Sequence, residues 1–337
     1  MKEARLYRSR DDGAVECILC NHRCLIADEQ FGFCGIRKNV RGVLYTHAYG
    51  NLVAAHVDPI EKKPLYHFLP GSKSFSIATA GCNFRCGFCQ NWEISQRSFR
   101  DCRESLREKT SPAQIVEEAL RHRCKSISYT YTEPTVFFEY ALETAILARE
   151  EGIANIFVTN GYMTSEALET IRPYLDAANV DLKFFNDDSY QRICKAHLAP
   201  VLESIRLMHA MGIWVEVTTL VIPSENDSPD ELKGIADFIA GLDKNIPWHV
   251  AAFHPDYRFQ SYSSTCADSL KMALSIGADA GLAFVYAGNV RGFGSDTECP
   301  SCKRIVIRRE VFDILEYTIK DQKCVSCAQK VPGVFAA

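Results

Sequence analysis

The sequence lacks the features of a membrane protein or an exported protein. It has no run of about 18 apolar residues, and no basic segment followed by an apolar one at its N-terminus. It also lacks an excess of basic residues, because its net charge is −4, so it carries no electrostatic footprint for nucleic acid. These absences predict a cytoplasmic protein that binds neither membranes nor nucleic acid.

Cysteine, by contrast, is abundant, with 15 residues in a chain of 337. In a protein without an export signal these thiols stay reduced and are available to metals rather than to disulfides. The chain is long enough for one large α/β domain with accessory modules. We predict a four-cysteine metal-binding module in residues 1–66, with a hairpin formed by residues 43–49 and 52–57, a catalytic core in 67–288 and a zinc-ribbon-like module in 289–337.

The central motif is a C-x3-C-x2-C cysteine triad formed by Cys82, Cys86 and Cys89. It directly follows residues 74–79, which are typical of a short buried strand. A loop at the end of a strand can wrap three thiolates around one iron-sulfur cluster. Because a four-iron cluster normally takes four cysteines, three ligands leave one iron open to bind a substrate. Zinc and ordinary buried cysteines are the alternatives.

Strand-like and helix-like segments alternate between residues 67 and 288. The predicted strands cover 74–79, 126–131, 155–160, 178–183, 213–221, 249–253 and 282–286. The predicted helices cover 112–122, 136–150, 165–174, 200–211 and 228–240. This alternation predicts a parallel sheet with helices outside. An open or closed β/α barrel fits better than a doubly wound sheet. The reason is that the candidate functional residues follow the carboxyl ends of strands, where barrels carry their active sites.

Two further cysteine sets flank the predicted core. In the N-terminal set, Cys17, Cys20, Cys24 and Cys34 can close a tetrahedral metal site; we favour a structural zinc over a second iron-sulfur cluster, and spacing alone does not separate them. The C-terminal set consists of two C-x2-C knuckles formed by four cysteines: Cys299, Cys302, Cys324 and Cys327. These knuckles favour zinc over a rubredoxin-type iron.

The cysteine triad resembles that of the radical S-adenosylmethionine (SAM) enzymes. The N-terminal cysteine set and residues 57–67, 81–86 and 90–96 resemble, more narrowly, the radical SAM member of the AmmeMemoRadiSam system, which is related to pyruvate formate-lyase activating enzymes. The resemblance implies a partial (open) β/α barrel of radical SAM type. It also implies a 4Fe-4S cluster whose open iron is chelated by the methionine part of SAM, and cleavage of SAM to a 5′-deoxyadenosyl radical.

Residues at the ends of predicted strands fit SAM binding in this family. Glu133 resembles the glutamate of the family's Gly-Gly-Glu-Pro-like motif, which receives the SAM ammonium, although it also suits a helix N-cap. Tyr131 and Thr132 replace the two glycines of that motif. Asn160 resembles a residue beside the SAM ribose, although it also suits a turn. Asp181 and Lys183 point to the same side of a strand and resemble a segment near the SAM methionyl group. His254 is a further candidate near SAM or the substrate.

Together these features predict an anaerobic radical SAM oxidoreductase that abstracts hydrogen from a protein or peptide, as glycyl-radical activating enzymes do. The expected partners are a flavodoxin or ferredoxin as electron donor, and the AMMECR-domain and Memo-domain proteins for which the system is named. One alternative is the same chemistry on a small metabolite. The other is a non-enzymatic interaction protein in which all three cysteine sets bind zinc.

Overall fold

The chain begins with short antiparallel strands that surround the N-terminal cysteine set. The computed structural model describes residues 1–98 and 109–335; Cys102 lies outside them. The first strands are β1 (Lys2–Glu3), β2 (Tyr7–Ser9), β3 (Val15–Cys17), β4 (Leu25–Ile26), β5 (Arg37–Val40) and β6 (Val43–Thr46). They form two three-stranded sheets, in the orders β1-β6-β5 and β2-β3-β4.

An eight-stranded sheet forms the centre of the molecule. Its strands are β7 (Leu52–Pro59), β8 (Lys73–Thr79), β9 (Ser126–Tyr129), β10 (Ala154–Thr159), β11 (Ala177–Asp181), β12 (Trp214–Val221), β13 (Trp248–Ala252) and β14 (Val285–Gly288). They follow the order β14-β13-β12-β11-β10-β9-β8-β7, and all neighbouring pairs are parallel except β7 with β8. In the described residues β7 and β14 do not pair, so the sheet is a partial, open barrel and this fold prediction is confirmed.

Helices cover the outside of this sheet and connect its strands. The α-helices are α1 (Trp92–Ser95), α2 (Pro112–Arg121), α3 (Phe138–Glu150), α4 (Ser165–Ile171), α5 (Asp187–Ser189), α6 (Leu198–Ala210), α7 (Pro229–Leu242) and α8 (Ala267–Asp279). Short 3-10 helices cover Ile60–Lys62, Pro134–Phe137 and Arg172–Tyr174, and one π-helical turn covers Tyr190–Cys194. Local sequence explains several starts: Ser111 makes a capping box with Gln114, and Thr164 and Ser228 cap α4 and α7.

The predicted hairpin between residues 43–49 and 52–57 is wrong. Strand β6 pairs with β5 across the two-residue turn Arg41-Gly42, whose φ angles of 55° and 81° suit a type I′ turn. Strand β7 pairs instead with β8 at the edge of the central sheet. The Gly50-Asn51 break therefore separates two sheets rather than two strands of one hairpin.

The last segment forms a small module on the core. Its strands are β15 (Thr297–Glu298), β16 (Ile305–Glu310), β17 (Asp313–Tyr317), β18 (Ile319–Lys320) and β19 (Lys323–Cys324). The buried Arg309 joins module and core, because its guanidinium donates to the Tyr66 carbonyl oxygen (2.8 Å) and to the Thr297 hydroxyl (2.7 Å). No helix in residues 1–98 or 109–335 has the length and apolarity needed to cross a membrane.

Candidate functional site

The cysteine triad lies in the loop that follows β8 and lines a cavity of about 500 Å³. The backbone N–H of Phe84 donates to the Cys82 sulfur (3.3 Å), and the Ser95 hydroxyl lies 3.1 Å from the Cys89 sulfur. Burial raises the pKa of Cys82 and of Cys89, so binding a metal there must release protons. The three thiols thus share one wall of one cavity.

Close packing against the N-terminal strands fixes the start of this loop. Gly81 adopts φ of 101°, and its N–H donates to the Ile94 carbonyl oxygen (2.9 Å). A Cβ atom at this position would lie 2.4 Å from the Ile36 side chain. A side chain is therefore excluded twice, by the backbone conformation and by the space.

The cavity opens at the carboxyl ends of the parallel strands. It brings the triad together with four of the five predicted SAM-binding residues, which are Glu133, Asn160, Asp181 and Lys183. His254, the fifth, follows β13 but is exposed and is not among the residues that line this cavity. Its proposed role therefore has no support from the geometry, since its side chain lies outside the shared pocket.

Glu133 is a buried carboxylate with a full set of hydrogen-bond donors around it. One oxygen accepts from the Thr135 N–H (3.1 Å) and hydroxyl (2.5 Å) and from the Thr159 hydroxyl (2.7 Å). The other accepts from the Asn160 N–H (2.8 Å). Burial raises the pKa of Glu133, and these donors oppose the rise. The residue caps a 3-10 helix and is also one of the residues that line the cavity, so its two predicted roles are compatible.

Tyr131 stands where the family's Gly-Gly-Glu-Pro-like motif has its first glycine, and it adopts the left-handed conformation with φ of 63°. Its hydroxyl donates to Asp58, and the Lys63 ammonium lies 4.5 Å from the ring centre. The backbone shape favoured by glycine is thus present with a tyrosine. The sequence analysis assigned no role to Asp58, Lys63 or Tyr131. Residues 57–67 are nevertheless among those that resemble the family.

Asp181 and Lys183 form an ion pair at the end of β11. The Lys183 ammonium lies 2.8 Å from an Asp181 carboxylate oxygen. Burial alone would lower the pKa of Lys183, but Asp181 and the neighbouring thiols of Cys86 and Cys194 raise it well above its ordinary value. The pair therefore places a fixed positive charge and a negative charge in the cavity wall.

Asn160 connects the end of β10 to the cysteine loop. Its side-chain amide donates to the Asn83 side-chain oxygen (2.7 Å) and lies 3.9 Å from the Cys82 sulfur. Its own side-chain oxygen accepts from the Tyr162 N–H (3.1 Å), which closes the predicted turn. Sequence reasoning assigned no role to Asn83, and its position inside the cysteine motif was the available signal.

The C-terminal set is compact, unlike the triad. All four of its sulfur atoms lie within 4.8 Å of one another, with Cys299–Cys327 at 3.6 Å and Cys302–Cys324 at 3.8 Å. A tetrahedral metal with bonds of about 2.3 Å holds its sulfurs about 3.8 Å apart. This set has the geometry of a closed, mononuclear metal site.

The donor set of the main cavity fits a cluster that keeps one iron open. Three thiols stand on one wall, and a carboxylate, an amide and an ion pair face the same space. Three cysteines fall one short of the usual four for a 4Fe-4S cluster, and polar groups nearby can hold a ligand of the remaining iron. The residues of this cavity therefore fit an iron-sulfur cluster with one open iron.

Comparisons with known proteins agree with this class. Residues 76–239 match the model of the Radical SAM superfamily. An uncharacterized protein of Methanocaldococcus jannaschii is 44% identical over 339 residues, covering 99% of this chain and all of its own. A pyruvate formate-lyase-activating enzyme of Listeria monocytogenes is 20% identical over 200 residues, covering 55% of this chain and 76% of its own.

A solved structure shows the same fold. The radical SAM methyltransferase of Sphaerobacter thermophilus superposes with a TM-score of 0.52 at 18% identity, covering 67% of this chain and 68% of its own. The chain belongs to the radical SAM superfamily. Membership implies that it binds a 4Fe-4S cluster and SAM.

Proposed function

We propose that this radical SAM enzyme abstracts a hydrogen atom from a protein or peptide, in the manner of an activating enzyme. The observation that carries the proposal is the shared cavity, where the triad meets Glu133, Asn160, Asp181 and Lys183 at the open end of the sheet. The similarity to a pyruvate formate-lyase-activating enzyme supports the class of substrate.

When bound, the cluster and SAM would supply one-electron cleavage of the SAM sulfonium, with the electron coming from an external donor, and abstraction of a hydrogen atom from the substrate. The residues of this chain supply the positions. Cys82, Cys86 and Cys89 would hold the cluster. Glu133 would accept a hydrogen bond from the SAM ammonium, and the Lys183 ammonium would pair with the SAM carboxylate.

The rim of the cavity supports a large substrate. Lys62, Gln90 and Asn91 are exposed where they line the cavity, and Trp92, next along the chain, stacks on Tyr257 with ring centres 5.1 Å apart. Exposed donors and a flat aromatic pair suit a peptide backbone with an apolar side chain. AMMECR-domain and Memo-domain proteins are our candidate partners, and a flavodoxin or ferredoxin is the proposed electron donor.

The test is anaerobic formation of 5′-deoxyadenosine from SAM under dithionite. Wild type is expected to form it, whereas the triple Cys82/Cys86/Cys89→Ala variant is expected to form none. The exposed Cys266→Ala variant is the matched control for loss of a thiol and should behave as wild type. No product from a wild-type protein that retains iron would refute SAM cleavage.

The substrate is tested separately in the same assay. Candidate partner proteins and pools of small metabolites are added in turn, and the rate of SAM cleavage is compared with the rate without addition. Stimulation by a protein, with deuterium moving from a labelled protein into 5′-deoxyadenosine, supports the proposal. Stimulation by the metabolite pool alone would favour the small-molecule alternative.

For the C-terminal set we propose zinc. The support is the compact arrangement of its four sulfur atoms and its position in a module of short strands. One zinc per chain that is lost in a Cys302→Ala variant is the expected result. Iron in place of zinc would favour the rubredoxin-type alternative.

A further inference from the structure

The four cysteines of the N-terminal set line one small cavity. Cys17 ends β3, and Cys20, Cys24 and Cys34 come from the loops beyond it. The cavity measures about 20 Å³, on a scale where one water molecule needs roughly 10–15 Å³. Thiolates closed on a single zinc ion leave no such space between them.

The spacing of these thiols differs from that of the C-terminal set. Among the described residues, the C-terminal four are the one group of three or more potential ligands that all lie within 4.8 Å of one another. No three thiols of the N-terminal set lie within 4.8 Å of one another. The same is true of the triad, for which membership of the radical SAM superfamily implies a 4Fe-4S cluster. In a cluster each cysteine binds a different iron, so the sulfur atoms stand farther apart than around one ion.

Buried donors without partners in the described chain also line this cavity. The Nε and Nη1 groups of Arg37 and the side-chain nitrogen of Asn83 make no hydrogen bond there. The two residues are 2% and 1% exposed, and Arg37 forms an ion pair with Glu139 through its other nitrogen (2.6 Å). Such donors are costly when buried alone, and they suit the sulfides of an anionic cluster.

The cavity lies next to the triad. Asn83 follows Cys82 directly, lines the N-terminal cavity and accepts a hydrogen bond from Asn160, which lines the main cavity. The His22 ring, also in the N-terminal cavity wall, contacts the Asn83 carbonyl oxygen at 2.7 Å. Asn83 thus connects the walls of the two cavities.

We propose that Cys17, Cys20, Cys24 and Cys34 bind a second 4Fe-4S cluster, adjacent to the cluster of the triad. This assignment reverses the preference for zinc over a second cluster that was stated from the sequence. It rests on the cavity, the spread of the thiols and the unpartnered donors. It does not depend on the substrate or on SAM cleavage.

The test uses the triple Cys82/Cys86/Cys89→Ala variant, in which the N-terminal set is intact. The protein is reconstituted anaerobically with iron(II), sulfide and zinc(II) all present, and the three elements are measured per chain. We expect about four irons and four sulfides in the N-terminal set. Dithionite should then produce the electron paramagnetic resonance (EPR) signal of a reduced 4Fe-4S cluster. Zinc in the N-terminal set and no iron would overturn the proposal.

Two further measurements keep the test decisive if the triple variant misfolds. Wild type should hold about eight irons, and a Cys20/Cys24→Ala variant about four. The EPR spectrum of reduced wild type should show spin coupling between neighbouring clusters, and both variants should lose it. Wild type with about four irons and no coupling would contradict the proposal. SAM cleavage with a zinc-filled N-terminal set would refute this inference alone.

Discussion

The triad and the C-terminal set both consist of cysteine thiols, but the thiols are arranged differently in the two sets. The C-terminal thiols converge on one point, with sulfur–sulfur distances of 3.6 and 3.8 Å for two pairs. The triad is spread along a cavity wall and faces a carboxylate, an amide and an ion pair. Closure leaves a metal with no free position, whereas spread thiols with polar neighbours leave one. The surroundings of the thiols, more than the motif, therefore separate a structural from a catalytic site.

The largest expected effect is on 5′-deoxyadenosine formation. It should separate a variant that lacks one thiol of the triad from a variant that lacks one thiol of the C-terminal set. Cys89→Ala should abolish 5′-deoxyadenosine formation, because two thiolates do not hold a four-iron cluster. Cys302→Ala should leave product formation measurable, because that thiol lies in the separate C-terminal module. The two variants are compared anaerobically for iron content and product. Equal loss of product in both would show that the C-terminal set belongs to the catalytic site.

The next comparison concerns the stability of the C-terminal module, which should depend on the C-terminal thiols. Loss of a structural metal ranks with the most destabilising single changes, so Cys302→Ala should cost about 3 kcal/mol or more in the C-terminal module. Hydrogen exchange of the β15–β17 amides measures this locally, with Cys266→Ala as the control. Unchanged protection there would argue against a metal that holds the module.

The sequence was sufficient for the fold because its signals are local. All seven strands expected between 74 and 286 are present, although the last begins at Val285 rather than 282. Strong caps such as Ser111 and Ser228 fixed the helix starts. Strand alternation placed Asp181 and Lys183 on one side, and in the structure their side chains form an ion pair with each other. The predicted boundaries at 66 and 288 remain a prediction, and β7 lies in the central sheet although it precedes residue 66.

Long-range pairing and packing were beyond sequence reasoning. The sequence of β7 does not reveal its partner. Strand β7 pairs with β8, in which Lys73 lies opposite Pro59, and not with the nearer strand β6. Residues 267–279 form helix α8, for which the sequence analysis gave no prediction. Cys124 and Cys194 are buried, as small apolar residues often are, whereas Cys266 is exposed. The contact between Cys194 and the triad depends on a π-helical turn that no motif indicated.

Glu133→Gln tests whether the polar surroundings of the triad bind SAM. The amide keeps the size of the side chain but removes the negative charge. It also places an N–H group against donors whose hydrogen bonds the carboxylate accepts. Losing one hydrogen bond to a charged group costs roughly 1.5–3 kcal/mol, so SAM should bind about 10- to 150-fold more weakly. Equilibrium binding to the reconstituted protein measures this.

Thr135→Val is the matched control for Glu133→Gln. It removes a hydroxyl that donates to the same carboxylate but leaves the negative charge of Glu133 in place. SAM affinity should fall much less in this variant than in Glu133→Gln. Similar losses in both would mean that Glu133 acts through the cap of its 3-10 helix rather than by contact with SAM.

The smallest expected effect concerns Cys194, a fourth thiol that lies 3.4 Å from the Cys86 sulfur. Once Cys86 binds iron as a thiolate, the Cys194 S–H is the partner that can donate. Hydrogen bonds to cluster sulfurs favour the reduced state, so Cys194→Ala should lower the reduction potential of the triad's cluster by tens of millivolts. Cys124→Ala removes another buried thiol, which is not among the residues of the main cavity, and should leave the potential unchanged. An equal shift in both variants would attribute the effect to general loosening of the core, and the triad would then be tuned by its cavity wall alone.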